Sequence, residues 1–254
     1  MKKVRGIFIK NDREIEVMRE ANRIVSQILD SLGKAIEVGI PTLELEEIAQ
    51  KMCRDFEVKP AFQGYNGFPF AICCSINHEV VHGFPSTRLI ADGDIVSIDM
   101  GVIYDGFYGD SARTWGAGKI SSEAQRLIEV TRESLHKGIE QAIPGNNLYD
   151  ISAAIEDHAI AAGLGVVKRF VGHGIGRALH EKPEVPNFRV PGATGPMLLA
   201  GMVLAIEPML TLGSAEVKVL SDDWTAVTVD GSLAAHVEHT IAVMPGGPQI
   251  LSLS

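Results

Sequence analysis

Ile95-Val96-Ser97-Ile98-Asp99-Met100-Gly101-Val102-Ile103, running on through Tyr104-Asp105-Gly106-Phe107-Tyr108-Gly109-Asp110, is the stretch that sets the fold. Its first nine residues are apolar on both faces and rich in β-branched side chains, the pattern of a buried strand. Asp105-Gly106 is the two-residue turn of a β-hairpin, because both positions tolerate the positive φ that the turn needs. A turn of two residues fixes the register: Gly101 faces Asp110, and Asp99 faces Ala112. Asp99 and Asp110 then project from one face as diagonal neighbours. Two like charges that close are unfavourable unless a cation lies between them.

Outward from this hairpin the period of the apolar residues changes twice. Ala71 to Ile76, Val80 to Phe84, Asp94 to Tyr104 and Phe107 to Trp115 read as strands separated by Gly, Pro and Asp. Before them, Asn11-x-x-Glu14 is a capping box for a helix carrying Val17, Met18, Ala21, Ile24, Val25, Ile28 and Leu32 at helical spacing. A second helix starts at Thr42 behind Pro41, with Leu45, Ile48, Ala49, Met52 and Phe56 on one face. After Gly116 the order repeats. Ser122-x-x-Gln125 predicts another box, a further helix follows from about Asn147 to an end at Gly163, and strands return at Val166 to Val171, Met202 to Glu207, Thr225 to Val229 and Val237 to Met244. Helix, helix, strands, repeated, predicts an α+β fold with pseudo-two-fold symmetry and one shared sheet covered by helices. All 254 residues form a single domain in this reading, with halves at approximately 11–117 and 121–245.

Composition narrows the function classes. A hydrophobic fraction of 46% with 22% charged residues is ordinary for a globular chain. Lys and Arg number 23 against 32 Asp and Glu, a net charge of −9 that argues against DNA as a partner. The cysteines Cys53, Cys73 and Cys74 are odd in number and form no C-x-x-C, which excludes a disulfide scaffold and a cysteine zinc site. The longest apolar run, Met197 to Ile206, is shorter than the ~20 residues a bilayer helix needs. Behind the basic start Lys2-Lys3-Val4-Arg5 only Gly6 to Ile9 precede Lys10, too short for a secretory signal. The expectation is a cytoplasmic, monomeric protein with no membrane partner.

Two motifs invite rejection. His78-Glu79-Val80-Val81-His82 matches H-E-x-x-H, but that zinc chemistry needs both histidines one helical turn apart. Here the flanks favour a strand, where i and i+4 are about 13 Å apart at ~3.3 Å per residue. Gly172-His173-Gly174-Ile175-Gly176 lacks the G-x-G-x-x-G spacing of a phosphate cradle. Its glycines remove side-chain bulk around His173 instead.

Two further acids repeat the anomaly of Asp99 and Asp110. Val203 to Ile206 runs directly into Glu207-Pro208, and Glu238 interrupts the apolar run from Ala234 to Val243. An isolated ionised carboxylate in such a setting neutralises or finds a cation. No Lys or Arg flanks Asp99, Glu207 or Glu238. With His173 added, four carboxylates and one imidazole suit two divalent cations, whose +4 balances −4. Oxygen-rich ligands with a single nitrogen fit Mn(II), Fe(II) or Co(II), with Zn(II) also admissible. Such a pair activates water and polarises a carbonyl, which makes the chain a two-metal hydrolase.

Gly64-Tyr-Asn-Gly-Phe-Pro69, Val81-His-Gly83, Asp94-Ile-Val-Ser-Ile-Asp99, Asp105-Gly-Phe-Tyr-Gly-Asp110, Gly172-His-Gly-Ile-Gly-Arg-Ala-Leu-His180, Ile206-Glu-Pro-Met209 and Glu238-His-Thr240 stand in one order along the chain. As a set they resemble the type I methionine aminopeptidases over essentially the whole length, in the bacterial-style form without an N-terminal zinc-binding extension. The resemblance implies the pita-bread fold, with a curved, mainly antiparallel sheet. It implies two divalent ions bridged by Asp110 and Glu238, with His173 and Glu207 completing one site and Asp99 the other. It makes Glu207 the proton carrier, His180 the donor to the scissile carbonyl oxygen and His82 a contact near the scissile amide. The methionine pocket it implies is walled by Phe62, Tyr65, Phe68, Cys73, His82, Leu179, His180 and Trp224, apolar and aromatic surfaces that suit a thioether. Phe62, Leu179 and His236 depart from the residues common at those positions; the first two bear on pocket size and the third on support of Glu238. The implied task is removal of initiator methionine from nascent chains whose second residue is small. A transient ribosome contact through the basic start is the alternative to a solvated terminus. The rival readings are a proline-specific peptidase of the same fold and a non-catalytic binding protein on it.

Overall fold

The computed structural model describes residues 2–253. Helix α1 spans Asp12–Ala35, and both halves of its capping box close: Asn11 Oδ1 accepts the Glu14 N–H, and the Glu14 carboxylate accepts the Asn11 N–H, each at 3.0 Å. Ile15, Met18, Ala21, Val25, Ile28 and Leu32 are buried along one face. Each large member contributes about 1.5–3 kcal/mol on burial, so packing holds this helix more than propensity does. Helix α2, Thr42–Asp55, begins behind Pro41 in its extended conformation and buries Leu45, Ala49 and Cys53. It also buries Glu46, whose carboxylate accepts the N–H groups of Ala71 and Ile72 at 2.8 and 3.1 Å and so holds the start of the strand Ile72–Ile76.

Helix α3, Ser122–Glu140, is capped by Ser121, which accepts the Ala124 N–H at 3.1 Å. The predicted Ser122/Gln125 box does not form. Two adjacent serines offer the same cap, and with Ser121 chosen the third helical residue is Ala124, which has no side chain to return the bond; Gln125 binds Glu129 instead. Helix α4, Leu148–Ala161, follows Asn147, whose N–H donates to Asp150 at 2.8 Å, and Gly163 ends the segment at φ +74°.

The hairpin Ile95–Tyr104/Phe107–Gly116 has the register read from its turn, with Gly101 opposite Asp110 and Asp99 opposite Ala112. Asp105 and Gly106 both have positive φ. Ile72–Ile76 and Lys59–Pro60 pair with the first strand of this hairpin. In the second half, hydrogen bonding runs in the order Glu181–Val185, Gly172–Gly174, Val203–Ile206, His239–Met244, Gly247–Ile250. Every ladder among the described residues is antiparallel.

Two readings change. The Val166 to Val171 run is strand only at Gly165–Val166, and the next strand starts at Gly172. Val237 to Met244 is broken: strands lie at Ala234–His236 and His239–Met244, with Glu238 in the gap. The basic start is an ordered hairpin, Lys2–Val4 with Ile7–Ile9, turning at Arg5 and Gly6 while Lys2, Lys3 and Arg5 remain exposed.

The order helix, helix, strands occurs twice. The same bridge recurs at the second helix of each half, where Pro41 before α2 pairs with Leu89 and Asn147 before α4 pairs with Met197. Helix α1 packs on the Ile95–Gly116 hairpin and α3 packs on α4, and the apolar cluster around α1 also takes in Ile175, Val203 and Ala242 from the second half. One polar residue ties helix to hairpin. Asn22 is fully buried on α1, donates to the Met18 carbonyl at 2.8 Å, and accepts the Asp110 N–H at 3.1 Å. Asn22→Ala strands that buried N–H, and a loss of about 1–3 kcal/mol is expected in denaturant unfolding.

Candidate metal centre

Asp110 and Glu238 lie where the two halves meet, and reciprocal bonds hold that seam. Ser111 Oγ donates to the Glu238 carbonyl at 2.7 Å, and Thr240 Oγ1 donates to the Asp110 carbonyl at 2.8 Å. The Glu238 N–H donates to the Ala112 carbonyl at 2.9 Å. These bonds occupy the backbone around both acids and leave their carboxylates free to point into one cavity. One ligand atom from each of Asp110, His173 and Glu238 lies within 4.8 Å of the others. His173 Nε2 is 3.8 Å from Asp110 Oδ2 and 3.8 Å from Glu207 Oε1. Asp99 lines the same cavity, of about 380 Å³.

The electrostatics are those of acids without counter-ions. Burial pushes Asp99 up to about 7 and Glu207 up to about 8. Burial, then the neighbouring carboxylates, hold Asp110 and Glu238 well above the usual range. Asp99 Oδ1, Asp110 Oδ1 and Glu238 Oε1 are buried and accept no hydrogen bond. Among the described residues no Lys or Arg forms an ion pair with the four acids, and Arg113 turns away to Asp30 and Ser26. Burial takes His173 down to about 3, so its imidazole is neutral, and its Nδ1 faces the Gly174 carbonyl at 3.0 Å. Neutral imidazole and partnerless carboxylates form the donor set a hard divalent cation requires. The residues therefore fit metal.

At the GHGIG glycines the missing side-chain bulk lets backbones come close. A Cβ on Gly172 would lie 2.3 Å from the Ala205 carbonyl oxygen, and one on Gly174 2.3 Å from that of Lys182. The close approach is between neighbouring strands, which seats His173 between them.

The pocket residues line the same cavity: Phe62, Tyr65, Phe68, Cys73, His82, Leu179, His180 and Trp224. Phe68 meets Trp224 edge-on at 5.1 Å. His82 follows the strand Glu79–Val81, so H-E-x-x-H is not helical; Glu79 accepts the Ile76 N–H and pairs with Arg88. His82 has φ 61°, uncommon for a residue with a side chain, and its ring stands edge-on to Phe170 at 5.3 Å. Sequence reasoning missed two features. Tyr65 Oη lies 2.7 Å from His180 Nδ1 across 115 residues, a pairing with no local signal. Arg169 and Phe170 also line the cavity; the apolar run around them read as strand, which gave no reason to place them there. His236, read as a concern for Glu238, has its Nε2 3.6 Å from Glu207 Oε2.

Residues 16–245 match the model of metallopeptidase family M24. The chain is 52% identical to a methionine aminopeptidase of Clostridium acetobutylicum, over 97% of this chain and 99% of that one. The crystal structure of a methionine aminopeptidase from Thermotoga maritima superposes with a TM-score of 0.95 at 44% identity, covering 98% of this chain and 100% of that one. An Xaa-Pro dipeptidase from Bacillus anthracis shares the fold at a TM-score of 0.78 and 22% identity, covering 97% of this chain but 62% of its own.

Proposed function

The chain belongs to metallopeptidase family M24, among the methionine aminopeptidases, and from that premise we infer that it is a metal-dependent hydrolase that removes N-terminal methionine. The observation that carries this reading is the convergence of Asp99, Asp110, His173, Glu207 and Glu238 on one cavity, three of them with a buried oxygen that no protein donor satisfies. Asp110 and Glu238 would serve both ions, His173 and Glu207 one and Asp99 the other, with Mn(II), Fe(II) or Co(II) favoured and Zn(II) accepted. A bound pair supplies Lewis acidity and makes water acidic enough to attack near neutral pH.

The remaining chemistry belongs to side chains. Glu207 takes the proton of the attacking water and returns it to the leaving amine. We assign the Tyr65 hydroxyl as the donor to His180 Nδ1, 2.7 Å away. That leaves Nε2–H of His180 to donate to the carbonyl oxygen as negative charge grows there. His82, kept neutral by burial, contacts the substrate beside the scissile amide. Phe62, Phe68, Cys73, Leu179 and Trp224 exclude water and enclose the methionine side chain. Tyr65→Phe removes one hydrogen bond, worth about 0.5–1.5 kcal/mol, and is expected to lower kcat about 2–10-fold with little change in KM.

The substrate is a peptide with a small second residue, in this reading a nascent chain. The protein acts as one catalytic unit of two halves, a cytoplasmic monomer, and exposed Lys2, Lys3 and Arg5 are the groups available to ribosomal RNA. No described helix is long and apolar enough to cross a membrane. Turnover of Met-Ala-Ser and of Ala-Pro peptides across titrations of Mn(II), Co(II), Fe(II) and Zn(II) tests the assignment. Cleavage of the first alone is expected; cleavage of the second alone would move the chain to the proline-specific peptidases that share its fold.

A further inference from the structure

The loop that carries Leu179 and His180 is anchored by a buried ion pair outside the cavity. Lys10 follows the strand Ile7–Ile9, and its Nζ donates to Glu181 Oε2 at 2.7 Å, with both side chains at most 3% exposed. Glu181 follows His180 directly. Its other oxygen accepts the Arg177 N–H at 2.8 Å and the Ala178 N–H at 3.4 Å, folding the loop back on its own carboxylate. A Cβ on Gly176 would lie 2.6 Å from both Glu181 Oε1 and Lys10 Cε, so the pair is packed directly against the loop backbone. The Tyr108 N–H donates to the Gly176 carbonyl at 2.8 Å, and the Arg177 guanidinium sits 4.2 Å over the Phe107 ring, so the loop also abuts the hairpin that bears Asp110. Lys10 is fixed in turn by its own N–H, which donates to the Gly201 carbonyl at 2.8 Å.

A surface ion pair would contribute little. This one is buried, and removing one member leaves a charge without compensation, which forces the remaining carboxylate to protonate or to reach for water. Either response releases the Arg177 and Ala178 N–H groups, and His180 lies in the chain between them and Glu181. We propose that Lys10 and Glu181 are positioning residues, a clamp from the N-terminal segment that places His180 against Tyr65 and His173 and sets Leu179 in the pocket wall. This rests on the reading of His180 as the donor to the scissile carbonyl. A misplacement of about 1 Å at such a donor costs on the order of 100-fold in rate.

The test compares K10M, E181Q, K10R and the double variant K10M/E181M with the wild-type enzyme. K10M and E181Q are expected to lower kcat for Met-Ala-Ser about 10–100-fold while Mn(II) affinity, measured by calorimetry, stays within threefold, because no assigned ligand is altered. K10R keeps the charge and is expected to restore kcat to within a few-fold. An apolar pair can replace a buried ion pair without loss of stability, so K10M/E181M is expected to regain its melting temperature but not its kcat, lacking the carboxylate that folds the loop. If kcat instead follows melting temperature across the set, the pair is only structural and the proposal fails. A crystal structure of K10M with the Tyr65–His180 bond unmoved would overturn it independently of activity. Absence of Met-Ala-Ser turnover in the wild type would overturn the functional reading, while the displacement of His180 in K10M would still be decided by that structure.

Discussion

Glu207→Ala is expected to lower kcat for Met-Ala-Ser by about 10²–10⁴, the usual worth of a positioned general base, with a further loss from weakened metal binding. The reason is local. Glu207 ends the apolar strand Val203–Ile206 and lies 3.8 Å from His173 and 3.6 Å from His236, so it can reach both an ion and the proton in flight. Asp110 and Glu238 are buried more deeply and are committed to the seam between the halves. Glu207→Gln separates the two roles, since the amide keeps a coordinating oxygen and loses the proton. Steady-state kinetics with calorimetric Mn(II) titration should find Gln binding metal far better than Ala, yet turning over nearly as slowly. Near-wild-type turnover in Glu207→Gln would remove Glu207 from the proton path.

Chelation is expected to lower the melting temperature, and more so as pH rises. Asp99 at about 7, Glu207 at about 8, and Asp110 and Glu238 well above the carboxylate range all exceed the values near 4 of an unfolded chain. Between about pH 4 and these raised values the metal-free native state binds more protons than the unfolded state, so its stability falls with rising pH. Taking about 1.4 kcal/mol per pKa unit and about 2–4 °C per kcal/mol for a chain of this size, titrating even one of these acids should lower the chelated protein's melting temperature by roughly 5 °C between pH 5.5 and 8.5. Cations in the site hold the carboxylates ionised and remove that penalty, so the gap between loaded and chelated protein should widen across the same range. Scanning calorimetry with and without chelator measures it. A gap that is constant or that narrows with pH would mean the acids are not compensated by metal.

The hairpin at Asp105-Gly106 was legible because turn chemistry fixes register, and register fixes which acids share a face. Glu207 and Glu238 were legible as charges in apolar runs. Features that depend on residues far apart in the chain were not. Lys10 ends a short apolar run and reads as a surface residue, yet it is buried because Glu181, 171 positions away, neutralises it. Glu46 sits on the inward side of α2 for a similar reason, since the N–H groups it accepts belong to residues 25 and 26 positions on. The Val166 to Val171 run has strand composition, but its pairing ends one residue past Val166, where the Val167 N–H donates to the Met209 carbonyl at 3.0 Å, and Arg169 to Val171 continue as irregular chain lining the cavity. Composition reports what a segment tolerates, and partners decide what it does.

The most direct test of the metal pair is anomalous diffraction from crystals grown with Mn(II). Two manganese peaks about 3.5–4 Å apart, touched by Asp99, Asp110, His173, Glu207 and Glu238 with Asp110 and Glu238 between them, are the expected result. Manganese found only elsewhere on the surface, with the four acids protonated and bonded to one another, would contradict it.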